Sequence, residues 1–287
     1  MRDYLVFVRA GKHSLHPSML AEDPQRNWDC CVNAWDDPDG DDAAKLGVEY
    51  ATSQGINKFE AYTELRARIP EFRQYRYVML IDDDLVFKPG DVSRYFERCD
   101  SMELFLSQPA IRWGSNANHL VNLRNPACIV RQVNFVEVMA PCFSRMAVDR
   151  LLWTFLLTKC TWGIDYAWSS LLEGEGRISI IDAIPMHHTK PMDRADGPFY
   201  RKLRSMGIEP EQELASVHRN FPAWGSMKTL PDGHTYRFPL PKSFNAALVE
   251  SIESRKADFH LRQSGTIASS RPVITTGAPV RVQATSS

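Results

Sequence analysis

Apolar and polar positions fall in blocks along this chain: short β-branched or aromatic runs alternate with stretches that have a helical period. Residues 4–9 (YLVFVR) and 28–35 (WDCCVNAW) read as strands, and the polar stretch between them carries a short helix after His16-Pro17. Residues 57–69 have helical spacing, with Phe59, Tyr62, Leu65 and Ile69 on one face, and lead through Pro70 to the run YVMLI at 77–81. This strand-helix-strand rhythm predicts an α/β fold: a mostly parallel central sheet flanked by helices, with ligands at the carboxyl ends of the strands.

Further along, residues 90–99 form a helix with Val92, Tyr95 and Phe96 inward, and 104–107 a short strand ending at Gln108-Pro109. Residues 111–131 have little period and read as a long loop, with a hairpin as the alternative, and loops of this length in compact domains are usually functional or mobile. The pattern returns to strand at 132–139, turns at 141–145 into a helix over 146–157, and resumes as a helix at 166–173 and a strand at 178–184. Helices are expected at 198–206, 210–216 and 243–257. From about residue 262 the chain is Ser, Thr, Gly, Pro and Val without period. The expected organisation is one catalytic domain over 1–192, a helical C-terminal extension over 193–260, and a disordered tail over 261–287.

Charge narrows the partners. Lys plus Arg (34) nearly cancels Asp plus Glu (35), so no global field would hold the chain on nucleic acid, and an anionic ligand needs a local site. Cys30, Cys31, Cys99, Cys128, Cys142 and Cys160 lack the spacing of a zinc site or a disulfide framework, which implies a reducing compartment. The N-terminal apolar run is too short for a signal peptide, and the run at 151–157 is far below the ~20 residues of a membrane span. A cytoplasmic protein with no transmembrane segment is expected, and peripheral membrane attachment stays compatible.

Chemistry concentrates in three places. Asp82-Asp83-Asp84 ends the strand at 77–81, and side chains at i and i+2 of an extended chain share a side, so Asp82 and Asp84 can converge on a cation while Asp83 faces away. The plain alternative is a solvated acidic turn. Trp162-Gly163-Ile164-Asp165 places an aspartate at the cap position of a helix or, beside an aromatic wall, a general base. His187-His188 follows the strand at 178–184, and at most one of the two enters a site there; a mixed oxygen and nitrogen ligand set suits Mn²⁺ better than Mg²⁺. Arg9, at the end of the first strand, and Lys58, at a helix start, are candidate anion contacts or ordinary salt bridges. No dinucleotide or P-loop glycine motif is present.

Taken in order, YVMLIDDDLVF, Ser107-Gln108-Pro109-Ala110, the run 136–145 (VEVMAPCFSR), WGIDYAW and DAIPMHHTKP resemble the family designated domain of unknown function 707, which looks like glycosyltransferases of the GT-A fold. The resemblance spans roughly residues 4–192 and implies a nucleotide-sugar site in which an Asp-x-Asp motif holds a divalent metal on the diphosphate. Position by position it implies Asp82, Asp84 and His188 as metal ligands and Asp165 as catalytic base. Arg9, Asp36, Lys58, Asp82 and Asp83 become candidates for the nucleotide diphosphate, and Glu137, Arg145, Trp162 and His187 for the substrates. The implied partners are a nucleoside diphosphate sugar and a glycan or other hydroxyl acceptor. A metal-dependent phosphoesterase and a non-catalytic carbohydrate- or nucleotide-binding protein are the competing classes.

Overall fold

The computed structural model describes residues 1–35, 47–53, 55–191, 197–222 and 226–263, with side chains as far as residue 256. Asp36 lies outside the described residues, as does 264–287 of the expected tail.

The strands are β1 (Tyr4–Ala10), β2 (Trp28–Ala34), β3 (Tyr50–Thr52), β4 (Tyr77–Asp82), β5 (Leu85–Val86), β6 (Leu106–Ile111), β7 (Cys128–Val133), β8 (Cys142–Ser144), β9 (Ile178–His188) and β10 (Thr235–Tyr236). They form one sheet in the order β10-β7-β9-β6-β8-β4-β1-β2-β3, with β5 joined to β9 off that path. Along the path only β7 and β8 run against the other described strands, so the sheet is mostly parallel.

The strands read as continuous apolar runs because both faces of the sheet are covered. Tyr4, Val6 and Val8 of β1 and Met79 and Ile81 of β4 pack toward α1 (His16–Ala21) and α3 (Asp91–Ser101), which supply Met19, Leu20, Val92, Tyr95 and Phe96. The alternate residues Leu5, Phe7, Val78 and Leu80 meet Phe59 and Tyr62 of α2 (Lys58–Arg68), Ala147 and Leu151 of α4 (Arg145–Leu151), and Trp168 of α5 (Ile164–Leu171). Asn57 caps α2 by accepting from the Phe59 and Glu60 amides, both at 2.9 Å.

Several expectations are corrected. β6 runs through Pro109, which is tolerated because β8 pairs with β6 only at Leu106 and Ser107. β7 begins at Cys128, inside the expected loop, and stops at Val133, which lies opposite Ile178, the first residue of β9. Residues 134–139 are therefore a loop and not a strand. β8, three residues long, shows no period of its own and stands where a turn was expected. β9 continues past Ile184 to His188; Pro185 falls where the β6 register is irregular, so the ladder does not require its missing amide.

The C-terminal segment is not wholly helical. Beside α6 (Pro198–Ser205), α7 (Pro210–Asn220) and α8 (Lys242–Gln263), it lays β10 against β7 and returns backbone bonds from Leu230 to Gln132 and from Asn134 to Lys228. α8 extends beyond the expected end at residue 257 and takes in the first residues assigned to the tail. All six cysteines are buried and free, and among the described residues no helix is long and apolar enough to cross a membrane.

Candidate active-site cleft

Strand register alone gathers the first group. β1 lies between β2 and β4, and the pairing sets Arg9 opposite both Asn33 and Asp82 at the carboxyl ends of all three strands. Arg9 donates to the Asn33 side-chain oxygen and to the Ile56 carbonyl, the latter at 2.7 Å. Lys58, one residue into α2 and only 3% exposed, points its Nζ back to Asp82 Oδ1 at 2.7 Å and to the Met139 carbonyl at 3.1 Å. Burial lowers the Lys58 pKa, and Asp82, Asp84 and Glu137 oppose that shift. Asp82 itself keeps 47% of its side chain exposed, toward the cleft.

Asp83 and Asp84 form a turn, so strict alternation ends at Asp82 and all three acids line the cleft. Asp83 was expected to face away; it lines the cleft while its carboxylate accepts from the Gly11 amide at 2.6 Å and its carbonyl from the Leu15 amide at 2.7 Å, tying the β1–α1 loop down. Burial raises its pKa, with the Gly11 amide and Lys190 opposing.

Asp84 is buried, and β5 places it against the end of β9: its Oδ2 stands 3.3 Å from His188 Nε2. The other ring nitrogen, Nδ1, lies 3.0 Å from the Asn116 carbonyl, which can only accept, so the proton resides on Nδ1. In the neutral ring His188 Nε2 and Asp84 Oδ2 would meet as two lone pairs, so the contact calls for a proton or a cation between them. Burial opposes the imidazolium of His188, but Asp84, the Asn116 carbonyl and Asp82 outweigh it and raise the pKa. His187 pairs with Val86 and does not line the cleft.

The second group comes from the loop after β7 and the start of α5. Glu137, buried, accepts from Asn118 Nδ2 at 2.7 Å and Asn122 Nδ2 at 3.1 Å, and its amide donates to Gln108 Oε1 at 2.5 Å. Asp165 lies in the first turn of α5 and not at the cap, a position taken by Gly163 at φ 89°. Its Oδ1 accepts from the Tyr166 amide at 3.1 Å, and its Oδ2 from the Val138 amide at a long 3.4 Å. Only 5% exposed, it sits behind Val138 and not in the cleft lining; burial and the neighbouring Glu137 push its pKa up to about 7. Arg145 is not brought to this site. It binds the Gln74 and Tyr75 carbonyls at the far end of β4, because antiparallel β8 sets its neighbour Ser144 opposite Tyr77.

These groups surround a cleft of about 310 Å³, a volume suited to a small organic ligand. Arg9, Lys58, Asp82, Asp83, Asp84, Glu137, Trp162 and His188 all line it. The sequence reading missed Asn118 and Lys190 and the aromatic residues Trp35, Phe199 and Tyr200. The signal for Asn118 was available: the aperiodic stretch 115–125 is dense in Ser and Asn, residues suited to holding carboxylates and carbonyls. Phe199 and Tyr200 carried none, since a helix start in a segment without motifs does not say what it covers.

Among the described residues no group of three or more His, Cys, Asp or Glu forms a ready metal cage. The Asp84–His188 pair nevertheless fits part of one. A histidine that ligates through one nitrogen commonly donates the other N–H to a carbonyl, the role Asn116 fills, and a cation held by few protein groups is completed by ligand oxygens and water. Asp82 is engaged by Lys58 in this arrangement.

No protein-family model and no curated protein matches the chain. Among solved structures it is similar to a nucleotide-diphospho-sugar transferase from Desulfovibrio desulfuricans at 12% identity, over 78% of this chain and 97% of that one, with a TM-score of 0.40. It is also similar to GalNAc-T7, solved with UDP, GalNAc and Mn²⁺, at 8% identity over 92% of this chain, with a TM-score of 0.47; the chain spans 57% of that protein. Staphylococcus aureus TarS, solved with UDP-GlcNAc, matches at 12% identity over 93% of this chain and 74% of its own, with a TM-score of 0.47. At these TM-scores no residue role is carried across, and the cleft is understood from its own geometry.

Proposed function

We propose that this chain is a metal-dependent glycosyltransferase of the GT-A type, akin to the domain of unknown function 707 family, that moves a sugar from a nucleoside diphosphate to a hydroxyl acceptor. The observation that carries the reading is the Asp84–His188 contact, a carboxylate oxygen and an imidazole nitrogen 3.3 Å apart in a cleft at the carboxyl ends of parallel strands. Asp84 and His188 would hold a divalent cation, with Mn²⁺ better suited than Mg²⁺ to a mixed oxygen and nitrogen set. Such a cation neutralises charge on a leaving diphosphate.

The chain's own groups supply the rest. Arg9 and Lys190 border the acid row and offer cationic contacts to phosphate or ribose, and Lys58 orients Asp82 and opposes the rise in its pKa that burial causes. Asp165 is the proposed base for the acceptor proton: its raised pKa lies near neutrality, and though it does not line the cleft it accepts from the amide of Val138, which does. A base on the acceptor side implies in-line attack and inversion at the anomeric carbon, checked by proton NMR of the first-formed product; a retained configuration removes Asp165 from this role. The reading as a whole is tested by thermal shift with nucleoside diphosphates, with and without Mn²⁺. A ligand that binds the native state at about 100 times its Kd adds ~2.7 kcal/mol, so a metal-dependent rise is expected, and no rise with any base contradicts it.

A further inference from the structure

One wall of the cleft is aromatic, and three separate segments build it. Trp35 follows β2, Trp162 precedes α5, and Phe199 and Tyr200 open α6. Their rings form a continuous ribbon: Trp35 to Phe199 at 6.4 Å, Phe199 to Tyr200 at 5.5 Å and Tyr200 to Trp162 at 5.2 Å between centroids. None is a core residue; all four are half-buried and border the cavity. Trp162 Nε1 donates to the Tyr200 hydroxyl at 2.9 Å, which fixes the two rings as one unit.

The backbone holds Trp162 there under strain. Thr161 has φ 71°, rare for a β-branched residue, and Gly163 has φ 89°. A Cβ on Gly163 would come within 2.9 Å of the Val217 side chain, so the turn is pressed against α7. Thr158 Oγ1 anchors the Trp162 carbonyl at 3.1 Å.

The cleft these rings border is also lined by Glu137 and Asn118. Glu137 is held by two amides and no described cation pairs with it. An anionic ligand would be repelled beside Glu137, whereas hydroxyl groups would find carboxylate and amide groups there. The face of a pyranose ring presents C–H groups that pack on the negative face of an aromatic ring.

We infer that Trp162 and Tyr200, extended by Phe199, form an acceptor subsite for a neutral saccharide, stacked on the rings with its hydroxyls toward Glu137 and Asn118. This rests on the transferase reading and names its acceptor class. The test combines saturation-transfer NMR with cellobiose and diacetylchitobiose, a uronate disaccharide, a glucosamine disaccharide and choline as probes, and calorimetry of nucleoside diphosphate with Mn²⁺, on wild type and on Trp162→Ala, Trp162→Phe and Tyr200→Ala. Ring-to-sugar transfer is expected for at least one neutral disaccharide. Loss of one aromatic contact should weaken that binding about tenfold in Trp162→Ala and Tyr200→Ala, with partial recovery in Trp162→Phe.

Nucleotide binding should stay within about twofold in all three variants, and it also reports that each folds. The inference is overturned if nucleotide binding falls with the wall, which would assign the rings to the donor base, or if only the charged probes bind. Saccharide binding without any nucleotide binding would instead uphold the subsite and remove the transferase reading.

Discussion

Two buried charge clusters in this molecule invite opposite interpretations. Under α8, Arg131 and Asp182, both with no exposure, meet through Nε–Oδ2 at 3.0 Å and Nη2–Oδ1 at 3.2 Å. Glu253 accepts from Arg131 Nη1 at 3.2 Å and from Asn125 at 2.7 Å, and lies 2.8 Å from Lys256. Two cations cancel two carboxylates, and the cluster fastens the C-terminal helix to β7 and β9. In the cleft, Asp82, Asp83, Asp84 and Glu137, with Asp165 behind Val138, outnumber Arg9, Lys58 and Lys190, and Asp84 Oδ2 stands 3.3 Å from His188 Nε2. Closed neutrality marks structure; uncompensated charge held in fixed geometry marks a site waiting for a partner.

The contrast can be broken by mutation. Asp165→Asn should lower the transfer rate by ~10²–10⁴-fold, the usual range for a lost general base, while folding normally. Its stability effect has a definite sign. Folding raises the Asp165 pKa from 3.8 to about 7, so the wild-type contribution is fully present below about pH 4 and is lost as pH rises through 7. Denaturant unfolding of the variant should therefore show a gain over wild type that grows from pH 4 to pH 7; a loss at pH 8 would mean the ionised carboxylate is stabilised.

Arg131→Met should cost ~3–5 kcal/mol in the same assay, because it leaves Asp182 buried without its partner. Nucleotide binding per folded molecule should not change. Equal stability in this variant would show that the cluster does not hold α8.

How much of this was legible in the sequence follows from which signals are local. The strand before the aspartates, the amphipathic faces of α2 and α3, and the gathering of Asp82, Asp84, Lys58, Arg9 and His188 depend on periodicity and on strand ends. Within the expected loop at 111–131, Asn116 and Asn118 contact His188 and Glu137. β8 was illegible because three residues carry no period, and Arg145 was misplaced with it: an unseen antiparallel strand reverses which end of the sheet its neighbours occupy. The aromatic wall depends on contacts between segments far apart in the chain, which no local pattern encodes.

Smaller effects sharpen the picture. Gly163→Ala should cost ~1–3 kcal/mol by unfolding, since the added Cβ meets Val217 and the backbone has positive φ. Glu137→Gln should move the rising limb of the pH–rate profile to lower pH by removing the negative charge that helps raise Asp165.

The central claim, that Asp84 and His188 hold a cation for a nucleoside diphosphate, is met most directly by calorimetry of that ligand with Mn²⁺ against wild type and Asp84→Asn. The account predicts metal-dependent binding by wild type, and binding by Asp84→Asn that is weakened at least about a hundredfold and no longer responds to Mn²⁺. Binding that survives unchanged in Asp84→Asn, with the same dependence on Mn²⁺, would contradict it.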